Sequence, residues 1–275
     1  MMAPNSARQI VTVATYELLK YLRGRRLLAI VLLTVIIGAI FLVVPPAIGS
    51  AYPKDPKEFT TDVLRFLGIL SILSATFFGA DAIVSEYESK TGYFLFPNPI
   101  KKSSIFLGKF IASALVSIGA IELYYLIALV SVRVIDGSIP ASAGASFAYS
   151  LVYLFAILAV AYLFSTVMRS SVYSLVLTFF TFLLILPIVD AVGSYAKFKP
   201  WFSVTFASGI SQYVFQNPYP TDKVLNTTAV GGPNAGTQVA LAQYYPDVRL
   251  SLIVMAAYFF VAFVLAIILA RRRDM

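Results

Sequence analysis

The chain has 275 residues, 59% of them hydrophobic and only 12% charged, with a formal net charge of +8, and its mean hydropathy is +0.84. A water-soluble domain of this length does not tolerate so apolar a surface, so most of its solvent is lipid. Histidine and cysteine are both absent, which excludes disulfides, thiolate or imidazole metal sites, imidazole haem ligation and a Ser-His-Asp apparatus.

The first predicted element occupies residues 1–26. Ile10, Val11, Ala14, Leu18, Leu19 and Leu22 recur near helical spacing, with Arg8, Gln9, Thr12 and Lys20 mostly between them. This pattern predicts an amphipathic helix in the membrane interface, N-capped by Ser6 and broken at Gly24. Six apolar segments follow, each of about the 20 residues a bilayer core requires. They run from Leu27 to Val44, Val63 to Phe78, Ile105 to Ser131, Phe147 to Met168, Val172 to Val189 and Leu250 to Ala270. The first is read as an uncleaved helix ending at Pro45-Pro46, because its polar leader and apolar run both exceed those of a signal peptide. With the N-terminus inside, Arg23, Arg25, Arg26, Lys90, Lys101, Lys102, Lys109, Arg169 and Arg271 to Arg273 fall on one side, and that excess predicts cytoplasmic termini. Gly38, Gly68, Gly79 and Gly119 are expected to allow close helix contact.

The connections differ in kind. Between the second and third spans lies a polar stretch, residues 79–104, with Glu86, Tyr87 and Glu88 followed by Gly92, Tyr93, Phe94, Phe96, Pro97 and Pro99. Its carboxylates suit basic groups and its aromatic side chains are those that anchor protein interfaces, so it is read as a surface for a partner rather than a lipid-binding turn. Arg169-Ser-Ser171 is a minimal hairpin. Residues 190–249 form a long outer connection in which Phe202, Phe206, Ile210 and Val214 are spaced like one helical face, predicting short interfacial or re-entrant helices. Asn217 to Pro220 and Gly231 to Gly236 read as turns, without the glycine and lysine pattern of a phosphate-binding loop. Asn226-Thr-Thr228 fits a glycosylation sequon on the outside.

Taken in order, these parts resemble the permease subunit of type-2 ATP-binding cassette (ABC) transporters. The residues that carry the likeness are Glu86 with Glu88, Gly92, Pro97-Asn-Pro-Ile100 and Gly108-Lys109. The resemblance implies an all-α integral membrane protein, one permease domain over residues 1–275, and export across the cell membrane. It implies a dimer, of two copies or two close paralogues, coupled to separate cytoplasmic ATPases that bind ATP and Mg. Glu86, Tyr87, Glu88, Gly92, Phe94, Phe96 and Pro97 would then form the ATPase-coupling segment. The chain itself would bind no cofactor or metal and catalyse nothing, since it has no Walker lysine motif.

Glu122 is the one acid deep within a predicted span. Ionisable groups there are costly unless paired or wetted. It is read either as a substrate-pathway or gating residue, with Tyr125 beside it, or as one half of a structural pair with a basic or hydroxyl group. Tyr124, Tyr125, Tyr153 and Tyr162 suit either stacking on an amphipathic substrate or helix packing. The alternative from another class is a self-contained ion-coupled carrier using Glu122, which predicts further buried acids and an internal repeat.

Overall fold

A computed structural model describes residues 6–49, 52–53, 55–88, 101–135, 137–228 and 238–272. Helix α1 (Ser6–Leu22) lies ahead of the first span, α2 (Arg25–Ala47), and the chain turns at Gly24 as its sequence predicts. The second span, Pro56–Glu88, is interrupted twice, giving α3 (Pro56–Leu64), α4 (Leu67–Gly79) and α5 (Val84–Glu88). The third and fourth spans are α6 (Lys102–Ile135) and α7 (Ala143–Val167). The fifth consists of α8 (Ser171–Phe180), a π-helical turn over Thr181–Ile185, and α9 (Leu186–Tyr195). After α10 (Val204–Ser208), α11 (Ile210–Tyr213) and the strands β1 (Lys223–Thr228) and β2 (Gln238–Gln243), the sixth span is α12 (Val248–Arg272). Six helices among the described residues are therefore long and apolar enough to cross a membrane.

Prolines shape the spans without ending them where the sequence suggests. The first span, α2, runs through Pro45 and Pro46 to Ala47 rather than stopping at the pair. Pro46 has no N–H for the Leu42 carbonyl four residues back, and the Tyr52 hydroxyl donates to that carbonyl instead. In the fifth span, Pro187 follows directly on the π turn, where the Leu186 N–H bonds Thr181 O. The wider turn accommodates a ring that clashes with the carbonyl four residues earlier in a regular helix. The helix then continues to Tyr195, beyond the expected Val189.

The core lies where α4, α6, α7 and α12 meet. Tyr162 packs edge-on against Phe106 and Phe110 at ring distances of 5.4 and 5.0 Å, and Phe110 meets Phe263 at 4.7 Å. Of the four glycines expected to allow close helix contact, two do so. A Cβ on Gly38 would lie 2.8 Å from Ile127, and one on Gly79 would lie 2.7 Å from Leu158. Gly68 and Gly119 do not share this role, since a Cβ on either meets nothing within 4 Å among the described residues. The first and fifth spans are peripheral, with Leu28, Leu32, Ile36, Val172, Val176 and Phe179 exposed.

The connection between the fifth and sixth spans contains the expected short helices, α10 and α11, with Val204, Ala207 and Ile210 buried. It also contains an antiparallel hairpin, β1 with β2, in a register that pairs Lys223 with Gln243 and Asn226 with Ala240. The sequence reading assigned no strands here. Gly231 to Gly236, expected to turn, lie outside the described residues.

Candidate functional site

Of the residues singled out for coupling, Glu86, Tyr87 and Glu88 lie where the second span ends, at the end of the bundle that carries α1. The short helix α5 is held at both of its ends. Backbone N–H groups of Ile83 and Val84 donate to Ser165 Oγ at 2.9 and 3.1 Å. A hydroxyl from the last turn of α7 thus satisfies donors that a helix start leaves free. At the other end, the exposed Glu88 carboxylate accepts from Ser171 N at 2.8 Å and from Ser170 Oγ at 3.1 Å. It caps α8 from a different element and places negative charge at the positive end of the helix dipole.

Glu86 makes a different link. Its Oε1 lies 2.7 Å from Lys109 Nζ, and Glu17 Oε1 of α1 lies 3.1 Å from the same nitrogen. The Lys109 side chain is only 3% exposed. An ammonium so buried costs several kcal/mol unless it is paired, and two carboxylates here supply the pairing. Lys20 also reaches Glu17 Oε1, at 2.7 Å, which completes a network of two acids and two bases.

The residue before Lys109 explains how Glu17 gets there. A Cβ on Gly108 would lie 2.7 Å from Val13 Cβ and 2.9 Å from the Ile10 carbonyl oxygen, so α1 crosses α6 at a point only glycine permits. The packed stripe of α1 is Gln9, Glu17 and Tyr21, whereas Val11, Leu19 and Leu22 are exposed. Polar groups therefore fasten this amphipathic helix to the bundle, and part of its apolar side faces away from it. Farther in, the Tyr21 hydroxyl donates to Phe78 O at 3.1 Å and Ser113 Oγ donates to the same oxygen at 2.7 Å. Tyr162 is within 2.7 Å of Ser113. Burial, with Glu17 nearby, pushes the Tyr21 hydroxyl far above its ordinary range, so it stays a neutral donor. At the adjoining turn Arg26 pairs with Asp81 and donates to Phe77 O at 3.1 Å.

The segment after α4 is thus tied to α1, α6, α7 and α8. Of the sequence-predicted coupling residues, Glu86, Tyr87 and Glu88 lie in this arrangement, with Tyr87 half-buried beside Ile83, Lys102 and Ala270. Gly92, Phe94, Phe96 and Pro97 lie outside the described residues. Sequence reasoning missed Glu17, Ser165 and Ser171, and it read Lys109 as a basic residue near the start of a span and as part of the Gly108-Lys109 pair, without its two acidic partners. The available signal was the four-residue spacing of Gln9, Val13, Glu17 and Tyr21, which places an acid on one face of an interfacial helix.

Glu122 stands about 20 Å along α6 from Lys109, at the usual rise per residue. It is exposed on the flank of the bundle and lines a cavity of about 230 Å³ with Tyr125, Leu126, Leu129, Ala143 and Phe147. Tyr125 is fixed there: its hydroxyl donates to Ala143 O at 2.8 Å and its ring meets Phe147 edge-on at 5.1 Å. Among the described residues no hydrogen bond or ion pair meets the Glu122 carboxylate, so the intrachain pair weighed from the sequence is not formed there. Tyr124, Tyr153 and Tyr162 are buried packing residues. No group of acids among the described residues has the arrangement to hold a metal ion.

A family model described as ABC-2 family transporter protein matches residues 11–275. Comparison with curated protein sequences finds no match.

Proposed function

The chain belongs to the ABC-2 family of transporter proteins, and from that premise we propose that it is the membrane subunit of an ATP-driven exporter. Two permeases, copies or paralogues, form the pathway, and separate cytoplasmic ATPases bind ATP and Mg. The α1 end faces the cytoplasm, as the basic residues Arg25, Arg26, Arg271 and Arg272 favour. The segment that begins at Glu86 and includes Gly92, Phe94, Phe96 and Pro97 docks on the ATPase.

One observation carries the reading: α5 is fastened at once to α1, α6, α7 and α8, through Lys109 with Glu17, Ser165, and Ser171. A displacement delivered to this segment moves four elements together, since each contact is a hydrogen bond or ion pair between packed helices. Glu86 and Glu88 act within the permease, transmitting force rather than offering free carboxylates. The docking contacts then come from the aromatic residues Tyr87, Phe94 and Phe96. Glu122 and Tyr125 line the pathway: an intramembrane carboxylate that meets no partner among the described residues is stable only against water, substrate or another protein group.

The test is co-purification of the full-length permease with its ATPase, followed by measurement of ATP hydrolysis. Phe94→Ala with Phe96→Ala is expected to leave the permease inserted while the ATPase no longer co-purifies. Unchanged co-purification and hydrolysis would overturn the docking assignment. Transport by the permease alone, driven by an ion gradient, would replace it with the ion-coupled carrier.

A further inference from the structure

The bend between α1 and α2 encloses a cavity of about 340 Å³ whose polar lining includes Lys20, Tyr21, Arg25, Arg26, Asp81 and Ser85. Its charges are not equivalent. Lys20 is paired with Glu17, and Arg26 is paired with Asp81 through one guanidinium nitrogen, Nη1, which also donates to Phe77 O. The remaining donors of Arg26 are left over from those contacts. Arg25 is exposed, and no hydrogen bond or ion pair meets it among the described residues. The cavity thus presents one uncompensated guanidinium and part of a second.

Its position in the fold names its occupant. Arg25 is the first residue of the first span, so the cavity opens where hydrocarbon gives way to the headgroup layer. From Arg25, the exposed residues Leu28, Leu32 and Val35 follow at steps of three, four and three, which places them on one face of α2 above the guanidinium. A phosphate-binding base continued by an apolar track matches a ligand that has a phosphate at one end and an acyl chain at the other.

We propose that this bend is a binding site for an anionic phospholipid of the leaflet that α1 borders, with its phosphate on Arg25 and Arg26 and one acyl chain along Leu28, Leu32 and Val35. The proposal requires only that α2 spans a bilayer, and it holds or fails independently of ATPase docking. Lipid occupancy would stabilise the angle between α1 and α2, and so the position of Glu17 against Lys109.

The test uses the full-length permease, without any ATPase, in nanodiscs of phosphatidylglycerol and phosphatidylcholine in equal amounts. Lipids retained after partial delipidation are counted by native mass spectrometry. Each basic side chain at a lipid surface favours an anionic lipid roughly fivefold, so wild type is expected to retain phosphatidylglycerol over phosphatidylcholine by more than about tenfold. Arg25→Gln is expected to reduce that preference about fivefold, and Arg25→Lys to keep most of it. Arg272→Gln, at an exposed base on another helix, should leave it unchanged. Equal retention of the two lipids by wild type overturns the proposal without any variant. So does an equal loss in Arg25→Gln and Arg272→Gln, which would indicate diffuse surface charge. Inorganic phosphate that displaces the retained phosphatidylglycerol would assign the site to a free anion. Disulfide-linked dimers from Leu28→Cys or Leu32→Cys in the bilayer would place a second copy, not a lipid, on this face.

Discussion

Lys109 shows how much can rest on one side chain whose partners the sequence does not reveal. It sits in an apolar run beside Gly108, and only the fold brings Glu17 and Glu86 to it. Lys109→Met removes the shared base and leaves two carboxylates without it, a change that typically costs about 3 to 5 kcal/mol in a buried cluster. The variant is expected to lower the thermal midpoint of the detergent-solubilised permease, and adding Glu17→Gln and Glu86→Gln should recover much of the loss. Glu122 is the opposite case. An acid inside an apolar segment is plain in the sequence, but its exposure on the flank of the bundle required the structure. Because nothing within the described chain depends on its charge, Glu122→Gln is expected to leave thermal stability within about 0.5 kcal/mol of wild type. Transport rate, measured in vesicles with the ATPase present, should fall severalfold. A destabilised variant would show that the carboxylate is structural.

At the scale of elements, the close crossing of α1 over α6 and the outer hairpin make separate demands. Gly108→Leu places a side chain where Val13 and Ile10 already lie, so α1 must lift or shift, at an expected cost of about 1 to 3 kcal/mol. Proteolysis within residues 6–22 should quicken while the spans stay intact. On the opposite side, Asp222 accepts from Tyr245 N at 2.8 Å and pairs with Lys199 at 2.9 Å. Burial raises its affinity for a proton, but the Tyr245 N–H and the Lys199 ammonium outweigh that and hold the carboxyl below its usual range. A carboxylate with a depressed folded value stabilises the structure above its unfolded value, about 3.9, and the contribution disappears as pH falls through the folded one. The protection of amides across 242–246 relative to their intrinsic exchange rate should therefore fall below about pH 4, and Asp222→Asn should remove that dependence. The hairpin itself was legible in part. Lys223 to Thr228 and Gln238 to Gln243 flank Gly231-Gly-Pro-Asn-Ala-Gly236, whose residues mark a turn, but the connection is longer than the short loops that signal a hairpin from sequence.

For the whole molecule, the decisive expectation is topology. The chain has no cysteine, so single cysteines can be introduced and labelled without background. With the α1 end in the cytoplasm, Lys223→Cys in intact cells should react with a membrane-impermeant maleimide. Arg272→Cys should react only after permeabilisation. The reverse pattern would invert the orientation and place the α5 segment out of reach of ATP. The same frame accounts for the exposed faces of the first and fifth spans, whose apolar residues Leu32, Ile36, Val176 and Phe179 need lipid or another subunit as their solvent.

The sequence by itself determined the membrane class, the six spans, a helix ahead of them and the family, because hydropathy and segment order are properties of residues taken in a line. Boundaries at Pro46 and Pro187 were beyond it, since whether a proline ends a helix depends on what satisfies the carbonyl it frees. Tertiary structure decided what the charges do. It took Glu86 and Glu88, both read as open to a partner, and engaged one with Lys109 and the other with the start of α8. The physical reason is that in lipid a charge must find its partner wherever packing brings one, and Glu17 and Lys109, far apart along the chain, meet only because Gly108 lets two helices touch.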